Sequence, residues 1–386
     1  GDSAADLWQA LLNAQPLWRP STTLPANALS TELTGFDLAR FRQVPNGNRR
    51  PRTSQYALAA AAQAVGQAGL DSKNGVNKDD VAIVYGTGTG PISLTELALT
   101  AMTNSGLGAA EPLWFQESVF NAPASFIGIE YGFHGPLVAL PMGWAAGGHA
   151  IAVAADLITF GSAPIALVVV SDELAPLAYN AYRALGLVSP NDGAAQSMRP
   201  FDVRRNGAVL GEGAAAIVIE THAHAMQRGA RPLMRLTGWS ITSDSFGVGS
   251  KGAGPTSLHH SMSAALKQAR RDRIDVVYSG SYCVTDADQV EAAAIRTVFG
   301  ANSSPPVTNI RGSLGEVRGT TGLLNLVAAA ESLQTGIIPP TAGCEQIDPL
   351  CDIDVVTTQR SGTIEAVLCN SFWVNGVNAS VVLEAQ

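Results

Sequence analysis

The sequence predicts a layered α/β fold built from two related halves, and three observations carry that prediction. Short apolar runs alternate with helix-like segments, as in residues 54–65 followed by 81–85, which implies parallel sheets wrapped by helices. The same order of elements recurs about half the chain later, so residues 1–225 and 226–386 are expected to be pseudo-symmetric halves of one integrated unit. Of the 386 residues, 46% are hydrophobic and only 15% charged, which suits a large core with much internal sheet.

In the first half, helical spacing predicts a helix over Ala4–Leu12 and another over residues 54–65, leading to a strand at 81–85. The turn Gly86-Thr-Gly-Thr-Gly90 follows; it lacks the Lys-Ser/Thr of a nucleotide loop and reads as a tight turn beside a site. The apolar run Leu137–Leu140 predicts a buried strand, Pro141-Met142-Gly143 a turn, and a helix begins near Trp144 and ends near Gly161. Such strand-turn-helix elbows push one side chain into a cavity above free helix amides that stabilise negative charge. The side chain presented is Trp144, neither a nucleophile nor an acid. A strand at 165–170 completes the series.

The second half opens with a strand at residues 232–241, then a helix at 257–269, a strand at 275–278 and the short Ser279-Gly-Ser281 turn. A helix at 321–335 and a strand at 365–369 match the elbow helix and its following strand. The first half begins directly at a helix, so an opening strand equivalent to 232–241 is expected to be absent from this numbering. Residues 44–52 and 247–257 read as mobile segments.

A formal charge of −8 argues against nucleic-acid and anionic-membrane partners. Cys283, Cys344, Cys351 and Cys369 have no metal-type spacing and read as reduced thiols in a cytoplasm; no metal or cofactor is expected. Nothing resembles a signal peptide, and apolar runs are broken well short of a membrane span.

Arg199-Pro-Phe-Asp-Val-Arg-Arg-Asn-Gly-Ala-Val-Leu-Gly-Glu-Gly-Ala-Ala215 resembles the signature of β-ketoacyl-acyl-carrier-protein synthases, condensing enzymes of the thiolase fold. The match continues through Gly86-Thr-Gly-Thr-Gly90, Asn121-Ala-Pro-Ala124, Gly135-Pro136, Glu291-Ala-Ala-Ala-Ile-Arg-Thr-Val-Phe-Gly300 and Asn370-Ser-Phe-Trp-Val-Asn-Gly-Val-Asn-Ala379. The resemblance covers nearly the whole chain and implies a thiolase fold: five layers, αβαβα, in two pseudo-symmetric halves.

That family carries its acyl chain on an elbow Cys, whose thiolate the helix N-terminus favours. Two His residues donate to the thioester oxygen and to developing enolate charge. Matched residue by residue, the Cys falls on Trp144, one His on Gly280, the other on Glu316, and a family Lys on Arg311. A carboxylate at Glu316 repels an enolate, so the resemblance implies a dismantled site. An Arg311–Glu316 ion pair is suggested by their spacing. Trp144 either fills the vacated pocket or gates substrate. His149 reads as a satisfied helix residue, Cys283 as a buried hydrophobe and Glu212 as a structural carboxylate.

Type II polyketide systems pair a catalytic ketosynthase with a silent sister, the chain length factor, which lines the far end of the acyl tunnel. Trp144-Ala-Ala-Gly-Gly148 keeps the glycines of such sisters but has Trp where Gln is common. The resemblance therefore implies a silent subunit that works with a catalytic ketosynthase, acyl carrier protein and an acyl or polyketide chain. Leu94, Ala98 and Met102 share one helix face and, with Phe115 and Phe120, are candidates for the tunnel; ordinary core packing is the plain alternative. Leu137–Leu140 is expected to pair with its equivalent in the partner. Phe372, Val374, Asn375 and Gly376 replace the family's gating loop, with Val374 at the gate position. Arg49, Arg50 and Arg52 are candidates for docking an acidic carrier protein. Two other readings stay open: a self-sufficient condensing or acyl-transfer enzyme using Cys283, and a homodimer that binds acyl chains without chemistry.

Overall fold

Strands buried on both faces set the frame of the molecule, and they are the continuous apolar runs that parallel sheets require. The computed structural model describes residues 2–25, 28–71, 76–191, 196–244, 256–301 and 303–386. In chain order, the first half contains α1 (Ala4–Leu12), α2 (Arg52–Ala68), β1 (Val81–Gly86), α3 (Ile92–Ser105), α4 (Pro112–Ser118), α5 (Ala122–Tyr131), β2 (Leu137–Leu140), α6 (Ala146–Thr159), β3 (Ile165–Asp172), α7 (Pro176–Ala184) and β4 (Gly213–Glu220). The second contains β5 (Arg235–Ser243), α8 (Thr256–Ala269), β6 (Val276–Tyr278), α9 (Thr285–Phe299), β7 (Val307–Thr308), α10 (Gly319–Thr335), β8 (Ala366–Phe372) and β9 (Val377–Glu384).

The duplication shows in the sheets. One has the order β2-β1-β3-β4 and the other β7-β6-β8-β9-β5. In both, the first two pairings are parallel and the third antiparallel. β5 adds an antiparallel strand to β9 and has no counterpart beside β4 among the described residues. α6 and α10 pack on each other and on both sheets, so they form the middle of five layers. α2 and α5 cover the outer face of the first sheet, while α8, with α9 beside it, covers the second.

The expected elements are present, with shifted ends, but β2, expected to be buried, is partly open with Leu137 exposed, because it is the edge strand with no neighbour beyond it among the described residues. β3 runs on to Asp172 because β4 stays in register with it through Gly213. α6 starts at Ala146, after a 3-10 turn over Gly143–Ala145, rather than near Trp144. Residues 44–52 hold a 3-10 turn at Gly47–Arg49 with Gly47 buried, so they are not a plain loop. Residues 247–255 of the second segment read as mobile lie outside the described residues, and Thr256 already belongs to α8.

Glycine lets the two central helices touch. A Cβ at Gly147 would stand 2.5 Å from the Leu323 amide nitrogen and 2.8 Å from the Gly319 carbonyl oxygen, both backbone atoms with no room to give. Gly147→Ala is therefore expected to destabilise the protein by about 1–3 kcal/mol, the usual cost of overpacking. Thermal unfolding of the variant checks this as a clear fall in melting temperature.

Candidate functional site

The elbow is built as the sequence predicts, but its interior is filled. Gly143 turns the chain with φ +61°, and a Cβ there would meet the Trp373 indole at 2.5 Å. Trp144 is 1% exposed and its ring lies against three other aromatic side chains. Its centroid is 4.1 Å from that of Trp373, 5.1 Å from Tyr282 and 5.3 Å from Tyr182, the two tyrosines edge-on. Phe372 extends the cluster, 5.6 Å from Tyr282. The ring is held chiefly by packing against these aromatic neighbours.

The second-half segments close the rest of the space. Glu291, fully buried, accepts from the Ser279 hydroxyl, the amides of Gly280 and Ser281, and the Asn370 amide group. This fixes the 279–281 turn with Gly280 against Phe372. A Cβ on Gly280 would stand 2.9 Å from both the Asn370 carbonyl oxygen and the Phe372 ring, so the position takes no side chain as built.

Arg311 and Glu316 form the suggested ion pair. Nε of Arg311 donates to Glu316 Oε2 at 2.5 Å, Nη1 donates to the Ser279 carbonyl at 2.9 Å, and Thr321 donates to Glu316 Oε1 at 2.6 Å. Both groups are essentially inaccessible. Neither is available to a substrate, and together they form a buried, mutually neutralised pair.

The remaining candidates separate. Cys283 is fully buried with φ +66°, and burial followed by the nearby Asp288 charge pushes its thiol well above the ordinary value. A protonated, enclosed thiol is a poor nucleophile. His149 is buried and hydrogen-bonded through Nδ1 to the Ala145 carbonyl; burial lowers its pKa and favours the neutral ring. Glu212 accepts from the Leu33 and Leu174 amides and pairs with Arg52, a structural role.

Leu94, Ala98 and Met102 lie partly buried on α3, but Phe115 is 77% exposed and Phe120 is also exposed. These phenylalanines face outward, not into a cavity of this chain. Half of the exposed large apolar side chains among the described residues fall between residues 97 and 137, including Leu107, Leu113, Ile129 and Leu137. They sit on consecutive packed elements, α3 on α4, α4 on α5, and α5 on β2, whose outer edge has no strand beside it among the described residues.

At the gating-loop position, Trp373 rather than Val374 covers the elbow; Val374 is partly buried, Asn375 exposed and Gly376 turns the chain at φ +83°. Of the docking candidates, Arg50 packs its guanidinium over Phe126 at 3.7 Å and pairs with Glu117, and Arg52 bonds Tyr56 and Glu212. Arg49 stays exposed. Sequence reasoning missed Tyr182, Tyr282 and Trp373 as parts of the plug; the latter two lie inside the altered segments and their bulk was the available signal. Among the described residues, no group of His, Cys, Asp or Glu has a metal-site arrangement, and no helix is long and apolar enough to cross a membrane.

Comparison with known proteins matches this architecture to one class. The family model for the beta-ketoacyl synthase N-terminal domain matches residues 2–225 and that for the C-terminal domain residues 233–345, and the chain belongs to the beta-ketoacyl synthase family. It is 28% identical to 3-oxoacyl-(acyl-carrier-protein) synthase 2 of Coxiella burnetii, covering 99% of this chain and 95% of that protein. It is 32% identical to nodulation protein E of Rhizobium meliloti strain 1021, covering 91% and 89%. Among solved structures, the ishigamide ketosynthase/chain length factor superposes with a TM-score of 0.90 at 25% identity, covering 99% of this chain and 95% of that one. The fold is the thiolase fold.

Removing the plug tests how firmly the elbow is filled. Trp144→Ala is expected to cost about 3–5 kcal/mol, the range for deleting a large buried aromatic. Urea unfolding reads this directly, and a loss below about 1 kcal/mol would show that the indole is not packed as described.

Proposed function

We propose that this chain is a catalytically silent ketosynthase-like subunit of the chain length factor type. It pairs with a Cys-bearing β-ketoacyl-acyl-carrier-protein synthase and shapes the acyl tunnel of that pair during polyketide or polyene elongation. The observation that carries this reading is the filled elbow. Where a condensing enzyme needs a thiolate over helix amides, this chain has the buried Trp144, and where it needs donors for enolate charge, it has Gly280 and the Arg311–Glu316 pair. A cavity packed with aromatic rings holds no acyl thioester, and the high, enclosed thiol of Cys283 supplies no substitute.

Pairing accounts for the exposed apolar face. β2 presents an open edge that an antiparallel strand of a related partner can extend, and the exposed side chains of α3, α4 and α5 flank it. The ketosynthase/chain length factor to which this chain is similar supports the kind of partner. In such a pair, Phe115 and Phe120 would project from this chain toward the partner's tunnel, with Leu94, Ala98 and Met102 backing them. Bulk at a closed tunnel end limits chain length sterically. Carrier-protein docking would rest on Arg49, because Arg50 and Arg52 are already engaged.

Reconstitution with candidate Cys-bearing ketosynthases tests the reading. Leu137→Asp, which puts a charge on the pairing edge, is expected to abolish co-elution with the partner on size-exclusion chromatography. Phe120→Ala is expected to keep pairing while lengthening the main product. Intact pairing after Leu137→Asp would move the interface elsewhere, and unchanged products with Phe120→Ala would remove Phe120 from the tunnel.

A further inference from the structure

From the Asp172–Arg318 contact we infer that this buried ion pair is the positioning device that sets where Phe120 stands on the docking face; the inference rests on the tunnel reading above. Arg318 is wholly buried, yet its backbone adopts φ +53°, ψ −124°, a conformation rare for a residue with a side chain. Its Nε lies 3.6 Å from Asp172 Oδ1 without a hydrogen bond, while Nη1 and Nη2 donate to the Gly211 and Glu173 carbonyls. Burying two charges and straining a peptide is a poor way to gain stability, because a well-packed apolar pair does as well or better. What the arrangement does supply is a fixed geometry.

The geometry runs in one direction across the molecule. Asp172 Oδ1 accepts from the Thr87 hydroxyl at 3.1 Å, the Gly88 amide at 2.8 Å and the Thr89 amide at 3.2 Å, while Oδ2 holds the Thr320 amide at the start of α10. The Thr87 hydroxyl accepts in turn from the Gly90 amide at 2.8 Å. The turn is pressed from below, since a Cβ on Gly88 would meet Arg318 Cβ at 2.9 Å. From above it carries Phe120, whose ring lies where a Gly90 Cβ would be, 2.6 Å from Cδ1. One side of the turn is therefore the ion pair and the other is the exposed aromatic. Moving the turn moves Phe120 without substituting any residue of the docking face.

The test uses the reconstituted pair with acyl carrier protein and malonyl units. Asp172→Asn leaves Arg318 buried without a counter-charge and is expected to lower the melting temperature. Combining it with Arg318→Met removes both charges and is expected to recover most of that loss, and partner affinity should match the parent. The double variant should nevertheless shift the main product by one condensation unit toward longer chains, as Phe120→Ala does. Thr87→Val, which cuts the Asp172–Thr87–Gly90 relay and leaves both charges, should shift products the same way and covers the case of a double variant that does not fold. A folded, paired double variant or Thr87→Val with parental products, beside a Phe120→Ala that does shift them, would overturn the inference while sparing the tunnel reading. Parental products from Phe120→Ala as well would remove both.

Discussion

The backbone contact between α6 and α10 is the constraint on which the rest of the structure depends. Gly147 meets the backbone of Gly319, Gly322 and Leu323, and Gly148 fits against Ala379 and Ser371. Because these helices share the middle layer and each touches both sheets, their close contact fixes how the two halves seat against each other. The 3-10 turn that carries Trp144 leads straight into α6, and Gly319, which opens α10, packs against Ala146 and the Gly143 carbonyl. The contact that assembles the layers thus also fixes the depth at which Trp144 enters the centre.

Two kinds of interaction fill that centre, and their energetics differ. The aromatic cluster of Trp144, Tyr182, Tyr282 and Trp373 gains from burial of large apolar surfaces and edge-on ring contacts, each ring contributing on the order of a few kcal/mol. The Arg311–Glu316 and Asp172–Arg318 pairs gain little net stability, since desolvation offsets their attraction; losing one partner alone costs about 3–5 kcal/mol. The rings therefore hold the site shut, and the ion pairs hold it in register.

Much of this was legible in the sequence. Residues 81–85, 137–140 and 165–170 are apolar enough to declare strands, and the ordered motifs pointed to the family. Trp144 and the Arg311–Glu316 pair could be named because they sit at motif positions or within one short segment. What could not be read depends on contacts between distant segments. Asp172 and Arg318 lie in different halves, and neither stands out until the fold brings them together. The sequence puts Val374 at the family's gate position and gives no sign that its neighbour Trp373, in the hairpin that joins β8 to β9, lies over the elbow. Phe115 and Phe120 carried no sequence mark of facing outward.

The most direct test of catalytic silence is intact-protein mass spectrometry of this chain mixed with acyl-loaded carrier protein, alone and with a Cys-bearing ketosynthase partner. The filled elbow predicts an acyl adduct on the partner and none on this chain in either mixture. An acyl adduct on this chain, at Cys283 or any other residue, would contradict the account.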